Sequence, residues 1–260
     1  MRTRFCPSCN RLPSVWIPDA QTRDDRELVR LRLDLAEKAT GIKAQMQSLL
    51  KRNNLKRPGD LGQGWTKGFW KWLEALTTDQ TLGLGMRGTL VSLLRQLRFF
   101  EEERNRVERQ LAELANQPRH QAALQQMVEL SGVGVLTALV FLTEVGDLKR
   151  FANRRQISAY LGLAPRAYES GEQNDRKGRI TRLGPSRVRR VLCQAAWARV
   201  RSDGPDHKHY QRLVAKNPKH KKIAVVAEMR RLAVRMWHRG AHGASGSPPP
   251  LRPTCRAPAG

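Results

Sequence analysis

The sequence predicts a mainly α protein: a coiled-coil helical hairpin followed by a helical domain with helix-hairpin-helix character. Three observations carry that expectation. Apolar residues recur at helical spacing through most of residues 27–239. A heptad pattern runs from Leu90 to Leu114. Strict apolar/polar alternation never lasts beyond about four residues, so no strand is expected.

In chain order, residues 1–26 carry Pro7, Pro13 and Pro18 without periodicity and read as an extended lead-in. Leu28, Leu31, Leu35, Ile42, Met46 and Leu49 then predict a long helix ending near Asn53-Asn54 and Pro58. Trp65, Phe69, Trp72, Leu73 and Leu76 predict a short amphipathic helix, its aromatics packed against a neighbour rather than stacking bases. Leu90, Leu97 and Leu111 fall at one heptad position, and Leu93, Phe100, Val107 and Leu114 at another, with Arg104 interrupting the first set. Such a stripe requires a partner helix, either in the same chain as an antiparallel hairpin or in a second copy as a dimer seam. Residues 27–117 therefore form a linker-helix and coiled-coil region. Residues 118–239 form a compact helical domain, and the Gly/Pro/Ala/Ser-rich tail 240–260 is expected to be disordered.

The 260 residues include 48 Lys plus Arg against 23 Asp plus Glu, a formal net charge of +25. A polyanion is the natural partner for such an excess, because each cation that neutralises a phosphate releases condensed counterions. The sequence has no apolar run long enough to span a membrane and no secretory signal at its start. Four scattered cysteines suit a reducing cytoplasm rather than a disulfide scaffold. Cys6 and Cys9 have the spacing of half a zinc knuckle but lack a second pair, so no metal site is expected.

Leu130-Ser-Gly-Val-Gly134 between two apolar segments reads as the turn of a helix-hairpin-helix. Gly132 and Gly134 would let backbone N–H groups and the positive end of the next helix meet a phosphate. An ordinary glycine-containing helix corner would share the pattern. Residues 149–201 hold 14 Lys plus Arg against Glu169, Glu172 and Asp175. Within this stretch Arg166, Arg176, Lys177, Arg179, Arg182, Arg187 and Arg190 are the candidate nucleic-acid contacts, with Gly171, Gly178 and Gly184 allowing close approach. Arg187, Arg190 and Gln194 share one helical face, and Val188, Val191, Leu192 and Ala195 share the buried one. Ser170, before Gly171 and among guanidinium groups, could present a hydroxyl to a phosphodiester, although most Ser-Gly pairs are simply turns. Ser186 is read as the cap of the helix that follows it.

The order Leu130-Ser-Gly-Val-Gly134, Thr143-Glu-Val-Gly-Asp147, Phe151, Tyr160-Leu-Gly-Leu-Ala-Pro165, Ser170-Gly171, Gly178-Arg-Ile-Thr-Arg-Leu-Gly184 and Arg190-Val-Leu192 resembles the C-terminal transposase domain of the insertion sequence 110 family. The likeness covers residues 120–238. Val15-Trp-Ile-Pro-Asp19, the helix 27–52 and the heptads are similar to that family's linker and central coiled coil. The resemblance implies DNA transposition with Ser170 as nucleophile, a structured guide RNA, and an N-terminal RuvC-type nuclease domain whose carboxylates bind metal. Asp19, Asp24, Asp25 and Asp34 do not fall in those carboxylate motifs. The expectation is a shortened, nucleoid-associated copy that binds DNA, self-associates through its coiled coil, and meets Mg²⁺ only with a full-length partner. A non-catalytic nucleic-acid-binding protein using the same turn and arginine loop is the alternative.

Overall fold

The computed structural model describes residues 16–167, 177–216 and 218–242. It is mainly α. The helices are α1 (Ala20–Arg52), α2 (Lys67–Thr78), α3 (Leu84–Ala115), α4 (Pro118–Val128), α5 (Val135–Val145), α6 (Arg154–Tyr160), α7 (Ser186–Arg201), α8 (Pro205–Lys216) and α9 (Lys221–His242). Short 3₁₀ turns occupy Gly59–Leu61, Leu148–Arg150 and Pro218–His220. The chain divides into two compact units, Met1–Arg26 with Glu113–Gly260, and Glu27–Ala112.

In the central unit the heptad stripe finds its partner within the chain. Arg32 donates to Glu108 at 2.6 Å and Lys43 to Glu101 at 2.9 Å, so α1 and α3 run antiparallel. Leu90, Leu93, Leu97, Val107 and Leu111 are all buried. Of the two partners that the heptads allowed, the one found is α1 of the same chain. On α1 the buried positions are Val29, Leu33, Leu35, Ala39, Ile42, Met46 and Leu49, while Leu31 is 45% exposed. The stripe read from the sequence holds from Leu35 onward and is misaligned before it. Arg104, the interruption in the heptads, lies 3.9 Å from Glu108 one turn on. Thr66 caps α2 by accepting from the Phe69 N–H at 3.2 Å, and Phe69, Leu73 and Leu76 enter the core. Trp65, Phe69, Trp70 and Trp72 pack ring against ring, the packing role expected of these aromatics.

Two sequence expectations need correction. Helix α1 starts at Ala20 and not at Glu27, because Asp19 supplies a cap and accepts from the Thr22 N–H at 2.6 Å. A two-stranded antiparallel sheet exists where no strand was expected: β1 (Pro165–Ala167) pairs with β2 (Lys177–Ile180), Pro165 opposite Ile180 and Ala167 opposite Lys177. These strands are too short to show alternation in sequence.

The terminal unit is built around α5. Every residue of α5 from Ala138 to Val145 is buried, so it is a core rod with helices packed around it. Its last carbonyls are capped by side chains from elsewhere. Arg26 donates to the carbonyls of Thr143 at 2.6 Å and Glu144 at 3.1 Å, Tyr160 Oη to Glu144 at 3.3 Å, and Arg150 to Val145 at 3.2 Å. The Arg150 guanidinium also lies 4.3–4.5 Å from the ring centres of Trp16, Phe151 and Tyr160. Cations suit this position because the helix dipole places partial negative charge there. Helix α9 covers α4, α6, α7 and α8, and Trp237 donates to the Leu148 carbonyl at 2.9 Å. A β-carbon at Gly240 would overlap Met127 and Leu148, and this close packing carries α9 past the expected tail boundary to His242.

A buried ionic network ties α7, α8 and α9. Asp206, at the start of α8, pairs with Arg199, with Arg231 at 3.1 Å and with Arg235 at 3.2 Å, while Glu228 pairs with His209 and Arg231. Burial opposes the charge on Asp206, but the Arg199 hydrogen bond and the three guanidinium charges outweigh it and hold the carboxyl below its ordinary range. A depressed folded value contributes stability that is present above the unfolded value of about 3.9 and lost as pH falls through the folded one. The melting temperature should therefore decline below about pH 4. Asp206→Asn should lower stability at pH 7 by about 3–5 kcal/mol, as removal of one partner from a buried network does, and flatten the acid limb; thermal melts from pH 2 to 7 measure both.

Candidate nucleic-acid interface

The Leu130–Gly134 segment joins α4 to α5, as a helix-turn-helix corner requires. The Leu130 N–H donates to Met127 O and the Val133 N–H to Leu130 O, both at 3.0 Å, winding the chain tightly between the helices. Its two glycines have different jobs. Gly132 has φ +78°, and a β-carbon there would meet the Ala195 carbonyl and the Arg199 Cγ at 2.7 Å each, so the turn is pressed onto α7. Arg199 fastens it by donating to Ser131 O at 2.6 Å. Gly134 is the residue preceding α5, with φ −92°, no side-chain cap and open space around its α-carbon. The amino end of α5 therefore faces outward beside Val135, which is 44% exposed. That end, rather than Gly132, is what a phosphate could approach.

The second part is assembled by two interlocked loops. Gly162 (φ +67°) follows α6 and Gly184 (φ +78°) precedes α7. A β-carbon on Gly162 would overlap the Leu183 carbonyl oxygen, and one on Gly184 the Tyr160 carbonyl oxygen. The Arg182 N–H donates to Gly162 O at 3.2 Å across the same junction, and Arg182 itself takes φ +57°. Arg189 closes it from α7, with Nη1 donating to the carbonyls of Leu161 (3.2 Å), Leu183 (2.9 Å) and Gly184 (3.0 Å). Burial, and then the charge of Arg182, pull the Arg189 guanidinium below its ordinary value. The β1–β2 hairpin rises directly from this junction, and the Thr181 N–H donates to Ala164 O at 2.9 Å.

The candidate residues separate accordingly. Arg166 on β1 and Arg179 on β2 are exposed, and Arg166 also donates to Thr181 O at 3.3 Å across the hairpin. Arg182 is exposed at the hairpin base. Arg187 and Arg190, in the first half of α7, lie over Val188, Val191, Leu192 and Ala195, all buried. Lys177 pairs in β2 through its backbone. Ser170 and Arg176 belong to the segment 168–176 that links the strands, which is outside the described residues; so are the side chain of Lys177, the pair Cys6 and Cys9, and the tail beyond His242. Ser186 is not a cap: α7 begins at Ser186 after Pro185, and no side chain caps it. Asn153 does cap α6, accepting from the N–H groups of Arg155 at 3.0 Å and Gln156 at 3.1 Å, an Asn-x-x-Gln signal that the sequence carries openly.

Counting charge could not separate Arg150, Arg189 and Arg199 from their neighbours. These three turn inward and hold loops, whereas Arg166, Arg179 and Arg182 turn outward. Asp19 and Asp25 are already engaged within the protein. Asp25 is buried and already accepts from Arg119 at 2.6 Å and lies 2.8 Å from His120 Nε2, while Asp19 caps α1. Among the described residues no group of three or more His, Cys, Asp or Glu is placed to hold an ion.

The region that builds this site, residues 124–212, matches the model of the transposase IS116/IS110/IS902 family. These residues carry the C-terminal domain of a transposase of that family. The chain is 30% identical over 207 residues to the y4qE transposase of Sinorhizobium fredii, covering 72% of this chain and 43% of that protein. It is 28% identical over 183 residues to the transposase for insertion sequence element IS1111A of Coxiella burnetii (70% and 48%), and 26% identical over 195 residues to that of element IS1328 of Yersinia enterocolitica (74% and 55%). The chain thus spans about half the length of the curated relatives it matches. Among the described residues no helix is long and apolar enough to cross a membrane.

The glycines make separable predictions. Gly162→Ala, Gly184→Ala and Gly132→Ala should each cost at least about 1–2 kcal/mol from the left-handed backbone alone, with the overlap added. Gly134→Ala has neither penalty and should stay within about 1 kcal/mol of wild type. Chemical denaturation of the four variants gives the comparison.

Proposed function

We propose that this chain acts in the transposition of a bacterial insertion sequence, as the part of a serine-dependent recombinase that grips DNA. The observation that carries the reading is the hairpin base. Two glycine loops, clamped by Arg189, project one ribbon bearing Arg166, Arg179 and Arg182, and the segment carrying Ser170 links its two strands. The outward end of α5 offers backbone donors for a second phosphate of the same partner. Neither feature reads bases, so the pair positions a nucleic acid without specifying its sequence.

In the reaction proposed, the Ser170 hydroxyl oxygen bonds to a backbone phosphorus as the bond to one sugar oxygen breaks. The serine proton leaves to solvent and the released sugar oxygen takes one up. The arginines of the hairpin neutralise charge that develops on the phosphoryl oxygens. Any Mg²⁺ is proposed to come with a longer copy of the protein, and no step here is routed through it. A guide RNA from the element is proposed as a second nucleic-acid partner. Association with another copy, if required for cutting, would use a surface other than the buried α1–α3 seam.

The test is covalent trapping. The chain is incubated with labelled element-junction DNA, its RNA and Mg²⁺, with and without a full-length relative, then denatured and resolved. An adduct that disappears in Ser170→Ala supports the nucleophile. Salt-sensitive binding without an adduct in either mixture reduces the function to DNA binding. In that binding assay, replacing Arg166, Arg179 and Arg182 with Gln should lower the slope of log K against log salt by about 0.9 for each phosphate no longer neutralised.

A further inference from the structure

Leu183 lies at the hairpin base and is 69% exposed, a large apolar side chain among cations. A single exposed leucine is ordinary on a protein surface, but the setting of this one is not. Arg182 before it takes φ +57° and Gly184 after it φ +78°, so two left-handed residues bracket it. For Arg182 that backbone is unfavourable, and such strain persists only where the surrounding structure over-determines it. The surroundings do so here. The Thr181 N–H donates to Ala164 O at 2.9 Å and the Arg182 N–H to Gly162 O at 3.2 Å. Leu183 O accepts from Arg189 at 2.9 Å, and a β-carbon on Gly162 would meet the Leu183 oxygen at 2.0 Å and its nitrogen at 2.7 Å.

The fold thus fixes the backbone of a large apolar residue and leaves its side chain in water. In a pliant loop the leucine could turn inward and bury; held between Gly162 and Arg189, it is kept out. Cations flank it. Arg182 adjoins it and is exposed, and the Arg166 guanidinium lies 3.3 Å from Thr181 O, two residues back. From Lys177 to Arg201 the sequence contains no acid. Charge complementarity therefore points to a polyanion as the partner that meets Leu183. One leucine is too little apolar surface to anchor the chain on a bilayer.

An apolar side chain held rigidly among cations is the arrangement with which proteins part stacked base pairs. The cations hold the backbone while the side chain enters a base step, unstacks it and kinks the duplex. We propose that Leu183 is such a wedge, entering a base-pair step of the DNA gripped at the hairpin. The inference rests on the hairpin being the DNA-binding site. It adds an action that the arginines lack. Exchange of strands between duplexes needs base pairs to part, and a wedge opens one step where the backbone is held. Pyrimidine–purine steps unstack most easily, so the preference it introduces is one of deformability rather than of base-edge contacts.

The shape of bound DNA tests it. An element-junction duplex of about 30 base pairs carries a donor dye at one end and an acceptor at the other, so energy transfer reports its end-to-end distance. Saturating wild type should raise the transfer, because an inserted side chain bends a duplex by about 20–90°. Leu183→Ala should bind with the wild-type salt slope, since no phosphate contact is removed, yet keep less than about a fifth of that rise. Leu183→Met, which retains a long apolar side chain, should kink DNA as wild type does. Thermal melts check that both variants keep the fold. A duplex that stays straight under saturating wild type overturns the proposal, as does full kinking by Leu183→Ala. Loss of self-association in Leu183→Ala, with DNA shape unchanged, makes Leu183 a contact between copies and also overturns it. Failure of the hairpin reading would look different: Arg166→Gln/Arg179→Gln/Arg182→Gln would then bind the duplex as wild type does.

Discussion

The close approach of two backbone loops at Gly162 and Gly184 is the constraint on which the proposed DNA-facing part of the molecule depends. Each glycine takes a left-handed conformation, and each lies where a β-carbon would overlap the other loop's carbonyl oxygen. The carbonyls at this junction point in converging directions and need a donor, and Arg189 supplies one from α7 to three of them. The junction ties the end of α6, the hairpin base and the start of α7 together at one point. With it, the outward arginines of a hairpin only three and four residues deep stand on a defined base.

Charge in this protein is sorted by burial. In a chain with twice as many cations as anions, three buried acids each face more than one basic side chain. Asp206 faces three arginines, Glu228 faces His209 and Arg231, and Asp25 faces Arg119 and His120. Backbone carbonyls absorb further cations: Arg26 and Arg150 at the end of α5, Arg199 at Ser131 in the α4–α5 turn. Arg179 and Arg182, outside these arrangements, stay exposed on the hairpin. Buried ion pairs of this sort define orientation between helices more than they add net stability.

Much of this was legible in the sequence, and the failures have physical causes. The heptads of α3 were visible because a seam demands strict periodicity, and Leu97 and Val107 are buried as the pattern requires. Whether the seam closed on α1 or on a second copy was not visible, since both satisfy the same spacing. The hairpin escaped notice because three-residue strands cannot display alternation. Gly132 was marked for a phosphate because Gly-x-Gly suits both a phosphate turn and a tight corner; only the position of Ala195 shows that it packs against α7.

By itself the sequence determined a helical fold, a strongly basic surface, and the order of motifs that marks the transposase domain. These follow from local propensity, periodicity and composition, which act over a few residues at a time. The tertiary structure alone decided which arginines face inward. Arg189 and Arg190 are neighbours with the same chemistry, yet one clamps two loops while the other shares a helical face with Arg187. That choice depends on carbonyl groups 5 to 28 residues away in the chain, brought within hydrogen-bond reach only when α6 and α7 pack.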